Sequence, residues 1–495
     1  MGTIAFLFLV TTRGAWSQGN TLGTGDVAGE PQEQKEGTAW TEAQSLDLVA
    51  RYHPVALQAQ TYVDEAQAVL MRARGGFDPV AGGTVGSKAL GGTTYYTAGD
   101  ASLRAELRGP VGVELGYGLA QGDKMNPERY TPDGGVLRAG VRIDLGQGWA
   151  MDIRRAALEQ AEGWGQLHAA TRLQRVNDLL LEATRAYWNW HRDWHLHAWA
   201  LEAQRLAEER LQGLQTSVEQ GDRPALDLVE AGALLLQRRA QVHAAQAALL
   251  SAEATLAAHL WDPQGLPAAL PVSARPHPLL LRPETPDDAP DYPANPPSPG
   301  LSLADLEPQW LRTPAALRFD GRHILLETEA ALAREQTKPQ LSLRAAALIG
   351  GQTLSQPDWN PALAPAGNNH QWGVTFAYPL LTRDARARVR LASIQLQRWN
   401  WEQQDAHRRW NELIRAQYAG LPLRQEATTL TRDAARQARQ LLDGERTLFE
   451  AGESSLFLLI QRENQWIESQ RQHVGAFHLW QMARREYLWR WEGGN

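Results

Sequence analysis

The 495-residue sequence contains no cysteine. That excludes disulfide bridges, thiolate metal sites, cysteine nucleophiles and lipid attachment to an N-terminal cysteine. Long apolar runs are missing too. No stretch beyond the N-terminus reaches the ~20 apolar residues a membrane-spanning helix requires, so if this chain crosses a bilayer it does so with strands. Neither sign of charge dominates: the formal net charge is −7, with Lys and Arg interspersed among Asp and Glu. This is a solvated mixed-charge surface, with no nucleic-acid footprint. No Gly-rich phosphate loop follows a strand, and no nucleophile–base constellation sits on a compact scaffold. The expectation is a protein without catalytic residues, cofactor or metal.

What is abundant is long helical pattern. Between about 152 and 261, two such patterns fold back on each other at Gln220-Gly221-Asp222-Arg223-Pro224. In the first, Leu173, Val176, Leu180, Ala183, Tyr187, Trp190, Trp194, His197 and Leu201 alternate at spacings of three and four, the rhythm of a coiled-coil seam. The second continues it through Leu226, Val229, Ala233, Leu236, Ala240, His243, Ala247 and Leu250, with smaller residues. Gly221 suits the left-handed turn that ends a helix, Asp222 a cap, and Pro224 the first turn of the next helix. A limb of about 65 residues would extend on the order of 100 Å, the dimension of a rod, a wall or a tunnel. Many of the 19 Trp residues fall inside helical patterns, among them Trp188, Trp190, Trp194 and Trp410, and packed walls account for them. His191 and His195 have the i,i+4 spacing of a metal pair, with His197 close by. No carboxylate motif or further ligand accompanies them, so a packed histidine row is expected.

The chain opens with Ile4-Ala5-Phe6-Leu7-Phe8-Leu9-Val10 and then Ala15-Trp16-Ser17, which reads as a secretory signal peptide over 1–17 without a basic n-region. A polar segment, 18–45, follows. The first unit, 46–270, contains a helix over Leu46–Arg74, strands at about 77–145, and the long hairpin. A Pro-rich linker, 271–307, separates it from a second unit, 308–495, with a helix from about Pro308 to Gln336, strands at about 339–380 and a hairpin at about 384–492. Pro54 and Pro79 recur as Pro314 and Pro339 at one offset, whereas Gly221 recurs as Gly452 at a smaller one. The first strand region therefore carries about 29 extra residues. An additional hairpin, a longer loop and extended strands would each accommodate them.

The duplicated order and the tips Gly221-Asp222-Arg223-Pro224-Ala225-Leu226 and Gly452-Glu453-Ser454-Ser455-Leu456 together resemble the TolC-like outer membrane efflux proteins. So do Asp152-Ile153-Arg154-Arg155-Ala156 and Tyr378-Pro379-Leu380-Leu381, where a strand hands over to a long helix. The resemblance covers about 46–491. It implies a mixed α and β membrane fold: an internally duplicated helix–strands–long helical hairpin unit. In the family it forms a homotrimer whose protomers give four strands each to a 12-stranded outer-membrane β-barrel, continued by a periplasmic α-helical barrel. The implied function is passive conduction in a tripartite efflux or type I secretion system of a Gram-negative bacterium, opened when a periplasmic adaptor and an inner-membrane pump dock. The alternative is a periplasmic coiled-coil adaptor or scaffold that does not span the membrane. Adaptors usually carry one hairpin, whereas here it is duplicated.

The resemblance also points to residues. Acids six and nine positions after the tip glycine narrow the pore in relatives, and Asp227 and Glu230 occupy those positions in the first repeat. The other reading of both is a first-turn acid answering the helix dipole. The second repeat has Leu458 and Gln461 there, and Phe449 and Ser454 replace the aromatic and basic residues of the family's closed-state latch. Adaptor docking is expected at the tips, on Gly221, Asp222, Leu226, Leu228, Gly452, Glu453, Leu456 and Leu459.

Overall fold

The computed structural model describes residues 39–122, 124–129, 131–132, 134–221, 224–271, 273–276, 303–350 and 369–491. The expected signal peptide, Asp222 and most of the Pro-rich linker lie outside them. Helix α1 (Glu42–Tyr52) starts at a capping box in which Thr41 and Gln44 exchange bonds. Pro54 cannot continue that helix, so the single expected helix is two: α2 (Pro54–Gly75) begins after His53, whose ring accepts from Val55 N. Four strands follow, β1 (Val80–Leu90), β2 (Thr93–Glu106), β3 (Val111–Gln121) and β4 (Val136–Asp144). Helices α3 (Ile153–Glu219) and α4 (Ala225–Ala257) form the first hairpin.

The second unit repeats the order with α5 (Leu303–Trp310), α6 (Pro314–Glu335), β5 (Gln340–Gly350), β6 (His370–Ala377), α7 (Arg383–Glu450) and α8 (Leu456–Trp491). Thr313 caps α6 ahead of Pro314, as His53 caps α2 ahead of Pro54. All six strands form one antiparallel sheet in sequence order. Four strands were expected. The extra residues of the first unit are an additional hairpin, hydrogen-bonded into the sheet rather than hung from it.

Helix α3 is the spine, packing on α2, α4, α6 and α8, while α7 packs on α6 and α8. Near the sheet the layer is α2, α3, α6 and α7; toward the tips it is α3, α4, α7 and α8. Aromatic residues fill the middle: Tyr187, Trp188 and Trp190 of α3 pack against Leu249 and Leu256 of α4 and Phe477 of α8. Burying such side chains contributes about 1.5–3 kcal/mol each. His191 and His195 join this cluster with ring centroids 4.6 Å apart, and His197 is only partly buried.

The buried stripe of α4 is not the expected seam. Ala231, Leu235, Val242, Leu249, Ala252 and Leu256 are buried, whereas Leu226, Val229, Leu236 and Leu250 are 59–73% exposed. In α3, by contrast, the expected seam faces inward: Ala183, Tyr187 and Trp190 are buried, and only its last member, Leu201, is exposed. Both faces of α4 are apolar, and the single chain covers only one of them.

Candidate functional site

Two regions carry the residues that a conduit would use: the sheet and the hairpin tips. Strand alternation sorts side chains onto two faces. On one face Ala105, Val113, Val141, Ala345 and Trp372 run level across β2 to β6. Leu103, Leu115 and Phe376 share that face and are 47–67% exposed. The other face is charged. Arg142 Nη2 donates to both carboxylate oxygens of Glu106, at 2.8 and 2.9 Å, and Glu106 also lies 3.2 Å from Arg154 at the start of α3. Asp100 pairs with Arg138, and Arg104 lies 3.6 Å from Glu114.

These pairs need glycine beneath them. Arg138 and Arg142 of β4 reach Asp100 and Glu106 of β2 by crossing β3, whose residues there are Gly112, Gly116 and Gly118. A Cβ at Gly112 would fall 2.7 Å from Glu106 Oε2, and one at Gly118 would fall 3.0 Å from Arg138 Nη1. The arginines therefore lie flat on the sheet. The sheet is thus apolar and exposed on one face and charged on the other, the alternation that a barrel wall with an aqueous interior uses.

Where sheet meets helix, Asp152 caps α3. Its Oδ1 accepts from Arg154 N at 2.8 Å and Arg155 N at 3.0 Å, while Arg155 Nε donates to Oδ2 at 2.9 Å. Burial opposes the charge, but these hydrogen bonds win and hold the carboxyl below its usual range. The matching corner of the second unit has no side-chain cap: Thr382 adopts φ 39°, after Leu380 at 92% exposure and Leu381 at 67%.

At the tips, Gly221 has φ +81° and Gly452 φ +79°, the left-handed conformation that glycine adopts without strain. Asp227 lies in the first turn of α4, half-buried, and Glu230 is exposed one turn on. Leu226 and Glu453 are exposed. Leu228 is half-buried against the cluster of Leu214, Ala231, Leu456 and Ile460. Leu456 and Leu459, expected on the docking surface, are 4% and 6% exposed; they brace the two hairpins against each other, so the free tip surface is made by the other residues. Ser454 donates to Glu445, which lies 3.8 Å from Arg462, and Phe449 packs into the clusters on either side.

Sequence reading missed the ties between hairpins. Arg210 of α3 pairs with Glu463 of α8, and Arg238 of α4 donates to Asn464. Burial and the charges of Arg238 and Arg446 push Arg210 down to about 10. No local pattern marks residues that meet from distant parts of the chain. Among the described residues no three His, Cys, Asp or Glu side chains group as metal ligands, and no helix is long and apolar enough to cross a membrane.

An amphipathic antiparallel sheet feeding two quasi-equivalent helical hairpins defines a class of fold that joins strands to long helices. Residues 94–260 match the sequence model of the outer membrane efflux protein family. Three solved structures illustrate the likeness. They are the open-state MtrE outer membrane channel of Neisseria gonorrhoeae (TM-score 0.62, 15% identity, 92% of this chain and 89% of that one), the CmeC outer membrane channel of Campylobacter jejuni (0.61, 13%, 92% and 86%) and the outer membrane protein VceC of Vibrio cholerae (0.60, 14%, 92% and 96%). No curated protein matches in sequence. The chain has the TolC-like fold, and its first unit carries the sequence pattern of the outer membrane efflux proteins, as the ordered repeat implied.

Proposed function

We propose that the chain is the outer-membrane channel subunit of a tripartite export system in a Gram-negative bacterium. It acts as a homotrimer and a passive conduit, opened when a periplasmic adaptor and an inner-membrane pump dock at the hairpin tips. The observation that carries this reading is the two-faced sheet, apolar and exposed on one side and ion-paired on the other. A periplasmic adaptor or scaffold has no use for such a face, which would be an aggregation hazard in water. Two further features support assembly with copies of itself. Among the described residues the sheet ends in unpaired edges at β1 and β6, which hydrocarbon does not tolerate, and α4 exposes the stripe of Leu226, Val229, Leu236 and Leu250.

Asp227 and Glu230 then form a ring of carboxylates that narrows the periplasmic end and favours cations. Gly221, Asp222, Leu226, Leu228, Gly452 and Glu453 make the surface the adaptor meets. The test is single-channel conductance of the detergent-purified protein in a planar bilayer, beside Asp227→Asn/Glu230→Gln. A cation-selective pore that loses selectivity in the double variant is the expected result. Unchanged selectivity returns the acids to helix capping, and well-folded protein that never conducts overturns the channel.

A further inference from the structure

The six-stranded sheet has a consequence for the width of the conduit. We propose that the hairpin β1–β2 is part of the barrel wall, so that β6 of one copy pairs with β1 of the next and three copies close an 18-stranded barrel. The inference rests on the trimeric channel reading above and adds to it the seam and the bore.

Three observations place the hairpin in the wall. First, β1 leaves α2 just past Pro79, as β5 leaves α6 just past Pro339. The strand that the helix layer feeds is therefore the outermost one, and removing it from the wall would strand α2. Second, β2 pairs with β3 without a bulge over ten residue pairs, from Thr97–Gln121 to Glu106–Gly112. Third, the ion pairs Asp100–Arg138 and Glu106–Arg142 staple β2 to β4 across the glycines of β3. The hairpin also keeps the wall's alternation, with Leu103 on the apolar face and Arg104 on the charged one.

The registers supply the stagger that closure needs. Val80, Arg104, Glu114, Gly140, Ala346 and Gln371 lie on one line across the sheet. The first residue of β1 is thus level with the second of β6, and most of β6 lies below β1. Pairing their middles in neighbouring copies requires a shift of about eight residues per copy. With ~3.3 Å per residue and ~4.8 Å between strands, that shift over six strands tilts them by about 42°, inside the 35–45° range of closed barrels. The tilt does not depend on the number of copies; three comes from the channel reading.

Eighteen strands at this tilt give a barrel about 37 Å across between backbones, against about 25 Å for twelve. Four helices per copy at each level make a ring of twelve, roughly 31–38 Å across at 8–10 Å spacing. Sheet and helix walls then share one bore without a taper, and the outer-membrane end admits solutes as wide as the helical tunnel carries.

The absence of cysteine makes the seam directly testable. Val374 and Val85 face each other across the proposed seam, both on the apolar face. Val374→Cys is combined in turn with Gly83→Cys, Val85→Cys and Ser87→Cys, and separately with Leu115→Cys on β3, which would be the partner in a 12-stranded wall. Oxidation in outer membranes is read as covalent trimers on denaturing gels. Electron cryo-microscopy of the wild-type protein in nanodiscs counts the strands directly. The expected result is a link from Val374→Cys to a β1 position, none to Leu115→Cys, and eighteen strands. A trimer that links β6 to β3, forms neither link or shows twelve strands overturns the widened barrel and leaves the trimeric channel standing. A monomer overturns the trimeric reading, and the barrel with it.

Discussion

Replacing Glu463 by glutamine tests how the two hairpins hold together near their tips. Arg210 and Glu463 have side chains 8% and 12% exposed, and they join α3 to α8. The site is already unfavourable for a cation: burial first, and then the charges of Arg238 and Arg446, push Arg210 down to about 10. Glutamine keeps the size of the side chain but removes the charge that compensates the guanidinium. Breaking a buried pair from one side costs about 3–5 kcal/mol, whereas exchanging both partners for apolar residues is often neutral. At about 1.4 kcal/mol per tenfold, local opening between the hairpins should rise by two to three and a half orders of magnitude. Hydrogen exchange on the intact protein in detergent reads this at the amides of α8 from Ile460 to Ile467, with Arg210→Met/Glu463→Leu as the control that recovers most of the protection. Exchange at the wild-type rate in Glu463→Gln would refute the argument, because the pair would then contribute nothing to the joint.

Gly163→Ala should loosen the α3–α6 crossing, since its Cβ would sit 2.8 Å from the Gly321 carbonyl oxygen and 3.1 Å from Leu325; a cost of about 1–3 kcal/mol lowers the melting temperature in detergent, and an unchanged melt refutes the close contact. Burial lowers the His195 imidazole from 6.5 to about 4, so folding favours the neutral ring. Its stabilisation is complete above pH 6.5, declines as pH falls toward 4 and is spent below that. The gap amounts to about 3 kcal/mol. His195→Leu should flatten the fall in melting temperature over that window, and an unaltered slope in the variant would count against it. Asp152→Ala removes the cap on α3 and should cost about 0.5–2 kcal/mol, seen as faster exchange in the first turn of α3 with the tips unaffected.

Much of the fold was legible because its signals are local. A glycine able to adopt positive φ, set between two helical patterns, marks each tip, and Gly221 and Gly452 both take that conformation. Pro54 and Pro79 recur as Pro314 and Pro339 at a fixed offset, which revealed the duplication, although the helical pattern reads on through the breaks ahead of Pro54 and Pro314. Asp152 and its two arginines were legible as the strand-to-helix corner, and their hydrogen bonds are made within that short segment.

What only tertiary structure decided are choices between locally equivalent options. The stripe of Leu226, Val229, Leu236 and Leu250 and that of Leu235, Val242, Leu249 and Leu256 fit a helix equally well, and packing on α3 buried the second. The extra residues of the first unit were compatible with a loop, longer strands or a hairpin until Asp100 and Glu106 met Arg138 and Arg142 across β3. Gly163 and Gly321, and Arg210 and Glu463, are each unremarkable where they stand in the chain. Periodicity records which side of a helix is apolar. Which neighbour covers it, and which distant charge is left to be matched, depends on how the elements are brought together.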